Sequence, residues 1–414
     1  MAISNTLLTI GMITNEALAV LTNELTFTRT INRQYDSQFG RTGAKIGDTL
    51  NIRRPVRYTV RTDPTLNVQG STESSVPLVL TKQYGVDMSF TSADYALSID
   101  DFSDRFIKPA LSALANKIDF DGLALYSDVY NAVGTPGTTP TSQLTYLQAR
   151  ALLNNEAAPQ NDRSICLNPT AEITIVSNLT ALFNPNKQIS DQYIKGSMGT
   201  AFGFDWYMDQ NVNTQVFGTY AANVAGGAVT VTNAVTSGTS IVTGGWTAGD
   251  VLNAGDIVTF GTLTSKGVYA INPQSRTSTG LLRQFVVASQ STADVSGNMT
   301  IIIANPTLTF TGAYQTCYNV NNAIEAGAVV GVFSASGKSS PQNLAYQKDA
   351  FTFATAKLPE MPGVKNGFAT APELGMSVRI IDGYDIVNDR KITRLDLLGG
   401  WKTIRPELAV RIAG

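Results

Sequence analysis

The sequence, 414 residues long, contains no histidine. Ser-His-Asp and Cys-His catalytic arrangements are therefore excluded, and the commonest transition-metal ligand is missing. Cysteine is nearly as scarce. Only Cys166 and Cys317 occur, with no C-x-x-C spacing, so neither a disulfide framework nor a cysteine-based zinc site is expected. Two reduced, buried thiols in a cytosolic product are the plain reading. Charged residues make up 15% of the chain and the formal net charge is −2, where roughly a quarter charged is usual. A global basic bias towards nucleic acid is absent. The surface must be rich in Ser, Thr, Asn, Gln and Gly, which suits many subunits packed side by side. No run of about 18 unbroken apolar residues exists, so no transmembrane helix and no membrane partner is expected. The opening "MAISNTLLTIGMITNEALAVL" lacks a basic n-region, its first positive charge being Arg29. It reads as an amphipathic helix kept in the mature protein.

Apolar residues are plentiful, at 43%, enough for a large core, and the length suggests two or three domains. In "RTGAKIGDTLNIRRPVRYTV", Leu50, Ile52, Val56, Tyr58 and Val60 fall on one strand face by period-2 spacing. Arg53, Arg57 and Arg61 fall on the other. Pro55 cannot donate to a ladder, so this is an edge or free-standing strand. After a polar loop, "LVLTKQYGVDMSF" alternates again through Leu78, Leu80, Tyr84, Val86, Met88 and Phe90. The pair reads as a long two-stranded arm that must lie on something, such as another subunit, because an isolated hairpin is marginal. From Ser98 a helical stripe runs through Phe102, Phe106, Leu111, Leu114, Ile118 and Leu125 to Val129. Asp100, Asp101 and Asp104 sit in its first turns, where the helix dipole favours acids. Pro109 should kink this rod. Beyond the loop 134–143 a compact α/β segment follows. From about 219 to 341 short β-branched runs recur between turn signals, as a small antiparallel barrel or sandwich would require, with a core of its own. Longer strands return at the end.

Motifs for chemistry are weak. "GVFSASGKSS" has one residue too many between Gly331 and Gly337 for a phosphate-binding P-loop, and Pro341 follows where a helix should open. "NPQSRTSTG", with Asn272, Pro273, Arg276 and Gly280, reads as a hairpin tip through its turn chemistry. The Gly-Asp steps in "AGDVLN" and "AGDIVTF" read as turn-to-strand punctuation rather than metal ligands. Asp100/Asp101 and Asp119/Asp121 are expected on a solvated helix face. The arginine row is either a solvated strand face or a contact to carboxylates or carbonyls of a neighbouring subunit, with Asp100, Asp101 and Asp104 as candidate partners. No catalytic residue, cofactor site or metal site is expected.

The order of elements, with three stretches, carries a resemblance. "AGDIVTFGTLTSKGVYAINPQSRTSTGLLRQFVV", "IGDTLNIRRP" and "VNDRKITRLDLLGGWKTIRPELAVRI" are similar to the insertion core, arm and terminal strands of a known family. The chain resembles the major capsid (coat) proteins of tailed double-stranded DNA phages with the Hong Kong 97-like fold. More narrowly it resembles the short-tailed-phage members that carry an inserted β-barrel domain. The resemblance implies an α+β fold divided as follows: 1–50 N-terminal arm and helix; 51–96 E-loop hairpin and P-domain strand; 97–133 spine helix; 134–218 part of the A- and P-domains; 219–341 inserted antiparallel β-barrel; 342–414 returning A- and P-domain strands. It implies a non-enzymatic subunit that self-assembles, as hexamers and pentamers, into the icosahedral head of the virion. The implied partners are a separate scaffolding protein, since the chain begins directly at the arm helix, a portal protein, and packaged double-stranded DNA met without sequence readout. Assembly is expected in the host cytoplasm. An encapsulin-like compartment shell, or a β-rich tail or adhesin protein, is the alternative.

Overall fold

A computed structural model describes residues 25–33, 49–91, 108–179, 199–221, 229–309, 318–371 and 376–413, together with Leu18 and Leu21. Within these ranges, 59, 67, 69–73, 305, 334, 335, 360 and 389 are excepted. Most of the expected N-terminal helix, Ser98, Asp100, Asp101, Asp104 and Cys317 lie outside the described residues. The chain divides into two compact units. The first comprises Met1–Ile52, Ser75–Gly122 and Phe351–Ile404, the second Arg53–Ser74, Leu123–Ala350 and Arg405–Gly414.

The first unit is organised by a five-stranded antiparallel sheet. Its spine is the strand Arg390–Thr403, which pairs with Met376–Asp385, Phe351–Ala356 and Lys82–Thr91. The edge strand Lys365–Ala371 pairs with Met376–Asp385. Ile52, Leu78, Leu80, Ala354, Ala356, Leu398 and Ile404 share one buried cluster. Helix α1, Phe27–Thr30, is a single turn; helix α2 is Lys108–Leu123. Leu111, Leu114, Ala115 and Ile118 bury the stripe that the helical period anticipates. Gly122 is required by close approach, since a Cβ there would lie 2.5 Å from the Trp401 ring. That ring packs on Phe353 and Phe27, at centroid distances of 4.5 and 5.9 Å.

Three sequence expectations are corrected here. First, among the described residues Thr49–Arg53 pairs only with Ser75–Val79. The strand stops at Arg53 because Pro55 has no N–H to continue a ladder. Arg53, Arg57 and Arg61 therefore share no strand face, and Tyr58 and Val60 are 64% and 93% exposed. The other half of the expected arm, Lys82–Thr91, joins the sheet instead. Second, α2 gives way to a 3-10 turn at Ala124–Asp128, and Ala132–Gly134 is a strand, so no helix reaches residue 133. The run Val129–Val133 is β-branched and aromatic, and it completes a sheet. Pro109 is the second described residue of this helix. Third, Asp119 is not on a solvated face. It is 2% exposed and accepts from Thr26 N at 2.7 Å, Thr28 N at 3.0 Å and Thr28 Oγ1 at 2.5 Å. A one-turn helix leaves its N-terminal N–H groups without intrahelical partners, and the Asp119 carboxylate accepts from those of Thr26, Phe27 and Thr28. Asp121 is likewise engaged, by Lys82, Lys117 and Tyr84.

The second unit holds a seven-stranded mixed sheet. Along its main path Ala132–Gly134 is one edge, followed by Ala409–Ala413, Ser339–Gln347, Arg163–Leu167, Phe204–Met208 and Thr200–Ala201, while Thr214–Val216 pairs with Ser339–Gln347. Helix α3, Gln143–Asn155, starts where Ser142 accepts from Leu144 N, and it buries Tyr146, Ala149 and Leu153. Helix α4, Pro169–Leu179, follows Arg163–Leu167, and Cys166 is buried.

Within residues 219–341, short strands pair in a ring. Thr230–Val231 pairs with Ser240–Gly244, which pairs with Asn298–Ile302. The bridge Val287–Ile303 leads on to Phe285–Val286, then Ile257–Phe260, then Val330–Val332, and the bridge Thr230–Val329 returns to the start. The ring surrounds one buried cluster that includes Val231, Ile241, Trp246, Phe260, Phe285 and Ile301. "NPQSRTSTG" makes the turn after Tyr269–Ile271 and runs into its antiparallel partner Ser278–Leu282. Gly280, expected to end the turn, lies inside the second strand instead, with φ +74°.

Candidate functional site

The second unit contains a cleft of about 600 Å³ lined by Arg54, Arg57, Arg283, Arg405, Glu156 and Glu407. Its remaining wall includes Pro55, Pro273, Pro306 and Pro406, so four of the chain's 16 prolines meet there. Proline fixes φ and the residue before it is held extended. Two of the arginines stand directly before a proline, in "RRPV" and "IRPEL". Both carboxylates are engaged. Arg283 Nη1 bonds to Glu156 Oε1, with side chains 3% and 8% exposed. The Arg283 guanidinium lies 4.3 Å from the Tyr130 ring centroid. Burial pushes the Glu156 carboxyl above its ordinary range against the pull of Arg283. Burial likewise raises the Tyr130 phenol. Glu407 Oε1 is shared by Arg405 Nε at 3.1 Å and Arg57 Nη2 at 3.6 Å. Arg54 Nε is buried and makes no hydrogen bond among the described residues.

Beside the cleft, residues 219–341 are moored to the seven-stranded sheet. Gln284 Oε1 accepts from Ala132 N at 2.7 Å while its Nε2 donates to Ala132 O at 3.0 Å. One amide thus substitutes for a neighbouring strand at a sheet edge. The paired "AGD" turns supply a second mooring. Gly249 and Gly255 take φ of +87° and +90°, the left-handed region that glycine tolerates. This lets Asp250 and Asp256 accept from the backbone three residues earlier, at Thr247 N and Asn253 N, both at 2.9 Å. Each also reaches the segment leading in from 217 to 221, through Ala221 N at 3.1 Å and Gly218 N at 3.0 Å. Burial raises the Asp256 carboxyl against these hydrogen bonds. Arg411, 1% exposed in the middle of an apolar strand, donates to Val129 O at 2.6 Å and Gly255 O at 2.7 Å. Burial pushes its guanidinium down to about 10.

Of the residues singled out from sequence, the cleft brings together Arg57 and Pro273. Asn272 Oδ1 accepts from Gln274 N and Ser275 N and shapes the hairpin tip, and Arg276 sits there with φ +60°. Arg61 Nη1 donates to Thr65 O at 2.7 Å, within its own loop. Arg54, Arg283, Arg405, Glu156 and Glu407 carried no signal beyond the repeated Arg-Pro step. Among the described residues no cluster of metal-ligating side chains occurs, and no helix is long and apolar enough to cross a membrane.

The chain belongs to the family described as "P22 coat protein - gene protein 5", whose model matches residues 1–414. It is a tailed-phage major capsid protein that forms the icosahedral phage head in the virion by self-assembly, and it is not an enzyme. This sets aside the compartment-shell and tail-adhesin alternatives. No curated protein matches the chain. Among solved structures it is similar to one from Mycobacterium phage Che8, at 10% identity over 94% of this chain and 90% of that chain, with TM-score 0.47. It is also similar to the capsid structure of the Cyanophage P-SCSP1u, at 11% identity, 90% and 84% coverage and TM-score 0.43. A third likeness is to the bacteriophage PhiM1 mature capsid, at 9% identity, 89% and 83% coverage and TM-score 0.41. All three TM-scores lie below 0.5, so the family match alone identifies the chain.

Proposed function

We propose that the subunit builds the head as hexamers and pentamers under the direction of a separate scaffolding protein, with a portal protein at one vertex, in the host cytoplasm. The family match over the whole chain carries this reading. One chain that occupies both ring types must select between contacts of different geometry. A subunit with only 15% charged residues has few like-charge clashes with which to reject wrong registers, so a second protein would direct curvature. Residues 51–96 serve as the E-loop and P-domain strand, 97–133 as the spine region, 134–218 and 342–414 as A- and P-domain parts. Residues 219–341 are the inserted β-barrel, which stabilises the subunit around its own core and contacts neighbouring capsomers. Arg53, at the end of its strand, and Arg61, on the exposed loop beyond it, meet carboxylates of an adjacent subunit, with Asp100, Asp101 and Asp104 as candidates. Packaged double-stranded DNA touches the shell weakly and without sequence readout, since the net charge is −2.

Imaging tests the assembly pathway. Purified subunit, with and without the scaffolding protein co-expressed from the same phage, is examined by negative stain and sedimentation. Uniform closed shells are expected only in the co-expressed sample. Uniform closed shells from the subunit alone would overturn the scaffolding reading.

A further inference from the structure

We infer that the arginine-lined cleft receives a carboxylate-bearing segment of a second copy of this chain. The cleft presents four guanidinium groups against two carboxylates, and both carboxylates are already committed to arginines within it. The Nε atoms of Arg54 and Arg283 are buried and form no hydrogen bond among the described residues. Arg283 keeps its bond to Glu156 through Nη1, whereas Arg54 makes no ion pair among the described residues. The half-buried Arg54 thus adds a guanidinium to a cleft that already holds three, and an incoming carboxylate would supply acceptor oxygens in the geometry that guanidinium favours. Proline walls hold the cleft's shape before anything binds, which lowers the ordering cost of binding.

The occupant is set by size and by what is at hand. A space of about 600 Å³ suits a side chain or a short extended segment. A double helix presents its phosphates on a convex surface whose major groove alone is about 12 Å wide, too broad to enter. The subunit self-assembles, so neighbouring copies are present at high effective concentration, and each copy carries 32 acidic residues. This inference rests on self-assembly and not on the contacts proposed above for Arg53 and Arg61.

The test uses full-length subunits, assembled as the parent is. Arg54→Glu and Arg54→Gln are compared with the parent by circular dichroism and by yield of sedimentable shells. Both are expected to keep the parent's spectrum. Shell yield should fall about tenfold for Arg54→Glu and less for Arg54→Gln, and added salt should bring the parent towards the Gln variant. Should Arg54→Glu misfold, Arg54→Gln decides alone. Parent-like yield from a folded Arg54 variant overturns the inference, whatever Arg53 or Arg61 variants do. A photocrosslinking amino acid at Gln274, an exposed residue on the cleft lining, gives the second readout in assembled shells and filled heads. A crosslinked dimer whose joined peptide contains Asp or Glu supports the inference. Crosslinks confined to one chain, to DNA, or to a peptide without an acid overturn it.

Discussion

The five-stranded sheet of the first unit and the strand ring inside residues 219–341 solve the same problem in opposite ways. The sheet uses long strands, 10 residues in Met376–Asp385 and 14 in Arg390–Thr403. Its longest hairpin projects a tip where Ile386 and Val387 are 84% and 91% exposed. That tip is ordered by Asp385, which accepts from Val387 N at 3.1 Å and Asn388 Nδ2 at 2.7 Å. The ring uses strands of two to five residues and closes on itself, so its core is enclosed and its strand edges are mutually satisfied. Closure makes a region self-sufficient. Open strands leave an apolar tip exposed, at Ile386 and Val387. The polar ties differ too. The sheet buries a charge pair, Arg379 Nη2 to Asp396 Oδ2 at 2.7 Å. The ring is moored by Asp250, Asp256 and Gln284, which mostly bond backbone groups.

The sharpest way to break this comparison is to empty the ring's core. Trp246 is 4% exposed and donates its indole N–H to Thr243 Oγ1 at 2.8 Å. Trp246→Ala is expected to cost about 3–5 kcal/mol, read by urea unfolding. Hydrogen exchange should rise across residues 229–332 while Met376–Thr403 keeps its protection. Equal loss in both regions would show that the ring is not self-sufficient. A smaller effect is expected at Asp119, whose carboxylate holds one helical turn of the first unit. Asp119→Ala should cost about 2 kcal/mol, as a buried acceptor lost to several backbone donors, with the amides of Thr26, Phe27 and Thr28 exchanging faster and the ring unchanged. Asp119→Asn should recover part of the loss. The smallest effect belongs to the exposed tip. Val387→Ser should shift subunit stability by no more than about 0.5 kcal/mol, measured by thermal unfolding. A loss well beyond that would mean the tip is packed within its own subunit.

What the sequence by itself determined was the local grammar. The α/β character of the segment beyond 134–143, the short strands between turns in 219–341 and the turn at "NPQSRTSTG" all follow from period, turn residues and composition. Turn and period signals act over a few neighbouring residues, and so they are legible in a linear string. The tertiary structure alone decided partners. Lys82–Thr91 alternates as an arm strand would, yet it joins Arg390–Thr403, because pairing preference depends on which long strand is available and not on the pattern of either. Asp119 has the sequence neighbourhood of a solvated acid, but a helical turn some 90 positions earlier in the chain (Thr28 Oγ1, |i−j| = 91) brings its unpaired N–H groups to it. The cleft gathers Arg54, Glu156, Arg283 and Glu407 from four separate stretches. Only the Arg-Pro steps hinted at it, because electrostatic pairing is set by distance through space, which no spacing along the chain encodes.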